Sequence, residues 1–180
     1  MPRLFICLLL FFANITPTFA QQNISNTDTS NEFTTLDIPN IAGEIKVDGV
    51  LDDLHWQQAK QLELNYVTRP FENTQPPVTT QVKIFENGDT LYVAFIAQDP
   101  KVENLSAYYR DRDGIWSDDL VGIKLDTFND SRLAYQLFVN PLGIQADAIQ
   151  NEMTGSESDS WDGIWQSAGK MIDAGDQIDM

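Results

Sequence analysis

Residues 109–150, YRDRDGIWSDDLVGIKLDTFNDSRLAYQLFVNPLGIQADAIQ, and the tail SWDGIW at 160–165 decide the fold. Apolar and polar residues alternate through three runs, Leu120 to Phe128, Leu133 to Val139 and Ile144 to Ile149. Successive side chains of a strand point to opposite faces, so this alternation predicts strands with one buried face. Asn129-Asp130 separates the first two runs and Asn140-Pro141-Leu142-Gly143 the next two, and both are turn compositions. The segment also carries Trp116, Trp161, Trp165 and a dense set of Asp and Asn residues in its turns. Such loops suit a polar ligand, and sugar is the foremost choice.

The pattern extends toward the N-terminus. Val78 to Phe85 and Leu91 to Ala97 read as a hairpin about Asn87-Gly88, residue types that tolerate the positive φ of a tight turn. Leu62, Leu64 and Tyr66 alternate with polar neighbours ahead of a loop spanning Pro70 to Pro77. Glu44 to Asp48 places Ile45 and Val47 on one face of a short strand, and Asp48-Gly49 turns the chain. Asp52 or Asp53 is suited to cap a brief helix that buries Leu54, Trp56 and Ala59. Short strands with frequent turns predict an all-β, antiparallel β-sandwich over residues 39–180. A further strand is expected near Trp161, with Trp56, Trp161 and Trp165 assigned to the core. With no obvious closing strand after it, the sequence is expected to be the front part of a longer protein, its sandwich truncated at the C-terminal end.

The N-terminus reads as a secretory signal over residues 1–20: Arg3 is followed by the apolar run Leu4 to Ala13, and Thr18-Phe19-Ala20 ends in the small residue required for cleavage. The run is shorter than a membrane span. Residues 21–38, polar and without apolar periodicity, read as a flexible leader. The expected location is periplasmic, outer-membrane or extracellular. The single cysteine, Cys7, belongs to the signal, so the processed chain has no thiol and relies on one hydrophobic core. The chain carries 11 basic and 27 acidic residues, a net charge of −16. Nucleic acid is excluded as a partner, because phosphate neutralisation requires the Lys and Arg that are scarce here.

The residues speak against catalysis. His55 is the single histidine, too few for a zinc site, and has no serine motif that would complete a triad. Asp118 and Asp119 are adjacent, and adjacent strand residues point to opposite faces, so the pair cannot flank one glycosidic bond. Trp116 follows Gly114 in a charged loop and is placed to stack on the C–H face of a sugar. Tyr109 extends that platform, and Asp118, Asp119 and Asn140 are candidates for the sugar hydroxyls; capping the sandwich core is the competing reading for Trp116, and strand packing the competing reading for Tyr108 and Tyr109. No cofactor is required. Structural calcium is a candidate at Asp111 and Asp113 or at Asp126, Asn129 and Asp130, since it takes six to eight hard oxygens from loops. Asx turns and salt bridges to Arg110, Arg112 and Arg132 account for the same residues without a metal.

Three stretches, IKVDGVLDDLHWQQA at 45–59, DTLYVAFIAQDP at 89–100 and WSDDLVGIKLD at 116–126, make the chain resemble carbohydrate-binding module family 9. It is most similar to the branch at the front of bacterial envelope proteins that carry a predicted C-terminal membrane β-barrel. The resemblance implies a β-sandwich and non-catalytic binding of a polysaccharide or oligosaccharide by an exported module of a larger protein. It also implies that Trp116 is one wall of an aromatic clamp. The acidic residue and the arginine that the family pattern places on the following strands are Gly122 and Phe138 here. An interaction domain that has lost sugar binding, attached to an outer-membrane barrel, and a fragment of a glycoside hydrolase are the alternatives.

Overall fold

The structure is a computed structural model, which describes residues 35–67, 69, 74–172 and the backbone of 178–179. The expected signal, nearly all of the leader and part of the Pro70–Pro77 loop lie outside the described residues. The chain divides into Met1–Thr35 and Leu36–Met180, and every element below belongs to the second unit.

The order of elements is α1 (His55–Gln58), β1 (Lys60–Leu64), β2 (Thr79–Glu86), β3 (Leu91–Gln98), a single 3-10 turn (Val102–Asn104), β4 (Val121–Leu125), β5 (Leu133–Val139), β6 (Gln145–Asn151), β7 (Ser156–Ser158) and β8 (Ile178–Asp179). Two four-stranded sheets result, ordered β1-β2-β3-β8 and β4-β5-β6-β7. Every pair within them is antiparallel. The architecture is therefore the expected all-β sandwich. Ile123, Leu137 and Val139 of the second sheet and Val93 and Phe95 of the first line a cleft of about 680 Å³ between them.

The first sheet is held by local apolar chemistry. Trp56 packs edge-on to Phe85 at 5.1 Å between ring centroids, and Phe85 stacks on Tyr92 at 4.7 Å, its partner across the β2–β3 ladder. Ala94 completes the cluster, with Ile41, Ile45 and Leu51 around it. Burying a large side chain such as Trp56 or Phe85 contributes about 1.5–3 kcal/mol. His55 stacks on Phe85, and its Nε2 lies 3.2 Å from the Ala42 carbonyl oxygen, so it is part of this packing.

The β2–β3 connection is a four-residue loop rather than a two-residue turn. Asn87 Oδ1 accepts the N–H groups of Asp89 and Thr90, while its Nδ2 donates to the Gly43 carbonyl. Of the two residues expected to need positive φ, Gly88 adopts it (100°).

Three expectations are corrected. Glu44 to Asp48 is not a strand: Asp48 Oδ1 accepts the Val50 N–H and pairs with Lys46, closing a side-chain turn instead of joining a ladder. Neither Asp52 nor Asp53 caps α1 with its side chain, and Leu54 is exposed, because the helix is one turn long and buries Trp56 alone. Residues 161–169 form no strand. Their backbone is held by side chains: the Gly163 carbonyl accepts Arg112, its N–H donates to Asp147, and the Trp165 carbonyl accepts Gln145 Nε2. Trp161 and Trp165 are half-buried there, Trp161 against Tyr135 and Trp165 donating to Asp147, rather than side by side on a strand face.

Candidate functional site

The register of the second sheet sorts its side chains into two faces. Val121, Ile123 and Leu125 pair with Val139, Leu137 and Tyr135 on the face toward the cleft. The opposite face follows from the same alternation: Gly122 and Lys124 on β4, Ala134, Gln136 and Phe138 on β5, Ala146, Ala148 and Gln150 on β6, and Glu157 on β7.

Gly122 pairs directly with Phe138. A Cβ at Gly122 would fall onto the Phe138 ring and the Leu137 carbonyl, so the ring lies over space that only glycine leaves free. Trp116 then meets Phe138 edge-on, with 5.8 Å between centroids and planes 71° apart. Trp116 remains 42% exposed, in contrast to buried Trp56 at 5%. The two departures from the family pattern are thus one local solution, an aromatic ring on a glycine floor.

Beyond Phe138 the face becomes polar. Gln136 Nε2 donates to Gln150 Oε1 and to Glu157 Oε1, each at 2.9 Å, and Lys124 also donates to Gln150 Oε1. Buried Ala134, Ala146 and Ala148 keep the rest low. A Trp and Phe pair beside a row of Gln, Lys and Glu offers an apolar platform with donors and acceptors next to it, the combination that a sugar's C–H face and hydroxyls require.

The loop that presents Trp116 is fixed from below. Ile115, next to it, is fully buried. Asn140, also fully buried, donates to the Tyr108 carbonyl and to Asp118 Oδ2, and its Oδ1 accepts the N–H groups of Leu142 and Ile144. The Asp118 side chain is sealed from solvent, accepts the Tyr108 N–H and pairs with Arg110 at 3.4 Å. Burial alone would raise the Asp118 carboxyl, but the Asn140 amide, the Tyr108 N–H and the Arg110 guanidinium outweigh it and hold it below the usual carboxylate range. Asp119 closes the loop at its base by exchanging two hydrogen bonds with the Ser106 backbone.

Of the residues expected to meet sugar, Trp116 and Tyr109 therefore lie at the surface, Tyr109 81% exposed. Asp118 and Asn140 lie beneath it and brace the loop, because the Tyr108 backbone and the Leu142 and Ile144 N–H groups are directed at them. Tyr108 and Tyr109 are exposed and outside any strand, Tyr108 lying under the Arg110 guanidinium at 5.2 Å. Lys124, Gln136, Gln150 and Glu157 escaped the sequence reading. For the first three the signal was there: in GIKL, YQLF and AIQN a polar residue occupies the outward phase of an apolar alternation, whereas Glu157 lies in the polar run Ser156-Glu157-Ser158 and had none.

The residues named for calcium separate. Asp126 receives the N–H groups of Ser131 and Phe128, and these backbone donors, Ser131 first, hold its carboxyl below the usual range. Asp130 accepts the Arg132 N–H and lies 4.0 Å from its guanidinium, and Asn129 takes positive φ (52°) in the same turn. Asp111 is exposed, and its carbonyl accepts the Gly114 N–H. Asp113 instead joins Asp147 and Asp162, with one carboxylate oxygen of each within 4.8 Å of the others.

Among the described residues no helix is long and apolar enough to cross a membrane. Residues 47–174, more than half of the chain, match the family described as carbohydrate family 9 binding domain-like. No curated protein and no solved structure matches the chain.

Proposed function

Because the chain belongs to the carbohydrate family 9 binding domain-like family, we propose that it binds carbohydrate without catalysis on the outward face of the second sheet, at Trp116. The observation that carries this reading is the half-exposed indole of Trp116, seated on Phe138 and held on a loop that buried Asn140 braces from below. A platform fixed before the ligand arrives loses little conformational freedom on binding. The ligand is a neutral polysaccharide or oligosaccharide, met by stacking on Trp116 and on exposed Tyr109 and by hydrogen bonds from Lys124, Gln150 and Glu157, with buried Gln136 holding the last two in place. The module acts as an exported part of a larger protein in polysaccharide breakdown or uptake, through the signal at residues 1–20.

Retention of the protein on a panel of immobilised glycans tests the proposal. Trp116→Ala removes roughly 1.5–3 kcal/mol of apolar burial against the sugar, so binding weakens about tenfold or more. The melting temperature stays near that of the parent chain. Retention unchanged by Trp116→Ala rejects this site. A parent protein that binds no glycan favours the second reading, an interaction domain of an outer-membrane-associated protein, for which the ring of Phe138 in place of a polar partner is the supporting observation.

A further inference from the structure

We propose a specificity that rests on the carbohydrate reading above: the Trp116 site selects a neutral sugar carrying a small apolar substituent, an O-acetyl ester above all, over the same sugar with a free hydroxyl at that position. The ladder sorts the outward face into rows. Gly122, Phe138 and Ala146 form one row across β4, β5 and β6, and none of the three has a polar side-chain atom. Lys124 and Gln136 begin the next row, two residues further along the strands and roughly 6.5–7 Å away. Gln150 and Glu157 lie one row beyond, paired across β6 and β7. The face is therefore divided, apolar where Trp116 sits on Phe138 and polar from the next row onward.

Both rings at the apolar end reach solvent, Trp116 at 42% and Phe138 as a half-buried side chain. Their planes stand 71° apart with 5.8 Å between centroids, an edge-on contact too close for a third ring to enter. A pyranose can cover one side of the indole, and what reaches Phe138 is then a substituent of that pyranose. A hydroxyl in this corner leaves water and meets two aromatic walls, with only Gly122 and Ala146 beside Phe138 in its row. Such an unpaired polar group is penalised, whereas a methyl group in the same place gains by leaving water. An acetyl ester supplies that methyl group and removes the hydroxyl proton, so no donor is left unpaired. The charges point away from an acidic decoration. Glu157 stands against Lys124 on this face, Lys124 Nζ already donates to Gln150 Oε1, and the chain carries a net charge of −16.

Neutral polysaccharides of several backbones, a β-glucan, an α-glucan, a mannan and a xylan, are each immobilised in paired forms, partially O-acetylated and fully de-esterified with alkali. The parent chain is expected to bind the acetylated form of at least one of them roughly tenfold more tightly than its de-esterified twin. Trp116→Ala loses retention on both forms, which separates the site from general adsorption to acetyl groups. Phe138→Gln sets a donor and an acceptor in the corner and brings the ratio of the two affinities close to unity. Phe138→Leu, which stays apolar, keeps the acetylated form ahead. Lys124→Ala weakens both forms alike and leaves the ratio unchanged. Equal retention of the parent chain on both forms, or a preference for the de-esterified form, overturns the selectivity and leaves carbohydrate binding standing. Retention on neither form of any polysaccharide overturns both. A ratio that a folded Phe138→Gln leaves at the parent value overturns the selectivity as well, and where that variant does not fold the parent comparison decides.

Discussion

Gly122 and Phe138 can be separated by substitution. Gly122→Ala places a methyl group against the Phe138 ring and the Leu137 carbonyl, and overpacking of this kind costs typically 1–3 kcal/mol. Part of that loss is recovered in Gly122→Ala combined with Phe138→Ala, because removing the ring relieves one contact and leaves the carbonyl. A double-mutant cycle on urea midpoints measures the coupling, and additive single effects refute the pairing described above. Phe138→Ala by itself removes the seat of Trp116, so glycan retention falls although Trp116 is intact. The pairing explains why the residues at these two positions carry a mixed signal on their own. Read against the family pattern, Gly122 and Phe138 are two unrelated losses of polar groups; only the register, which places them opposite each other, shows one compensated change.

At the scale of elements, the brace under the Trp116 loop is the part most sensitive to change. Asn140→Ala strips partners from the Leu142 and Ile144 N–H groups and from Asp118 at once. Each buried polar group left unsatisfied costs about 1–3 kcal/mol, so the expected destabilisation is roughly 3 kcal/mol or more. A urea midpoint indistinguishable from that of the parent chain rules the brace out as a stabilising element. The elements that were legible in the sequence are those whose partners are near in the chain. The β2–β3 and β4–β5 hairpins pair neighbouring runs, and alternation with a turn between them suffices. The 161–169 segment was misread as a strand because Trp161, Gly163 and Trp165 do alternate, whereas its partners are side chains 51 residues back at Arg112 and 18 back at Asp147. Alternation reports spacing, and spacing does not distinguish a backbone ladder from a string of side-chain bonds. The Trp116 platform was legible as an exposed aromatic loop; the burial of Asp118 and Asn140 was not, since a polar residue beneath a loop and one upon it look alike in a sequence.

For the whole molecule, the depressed carboxyls set the response to acid. Asp118 and Asp126 both titrate below the ordinary aspartate value of 3.8 when folded. Their contribution to stability is fully present above 3.8 and is lost as pH falls through the lower folded-state values. Unfolding midpoints measured from neutrality to about pH 3 should therefore decline at the acid end. Asp126→Asn should lower the neutral midpoint and flatten that decline, and a decline of unchanged steepness in this variant contradicts the assignment. The Asn87 amide has a different bearing on the chain. Asn-Gly sequences age chemically when the glycine nitrogen attacks the asparagine side chain. Here Asn87 Nδ2 is held by the Gly43 carbonyl, its Oδ1 by the Asp89 and Thr90 N–H groups, and the Gly88 N–H by Glu86. Cyclisation must break these bonds and release the segment around Gly43 from the hairpin. Conversion of Asn87 to aspartate and isoaspartate, followed by mass spectrometry in stored protein, thus becomes a slow clock for the opening of this sheet, running near the rate of a free peptide only where the sheet has come apart.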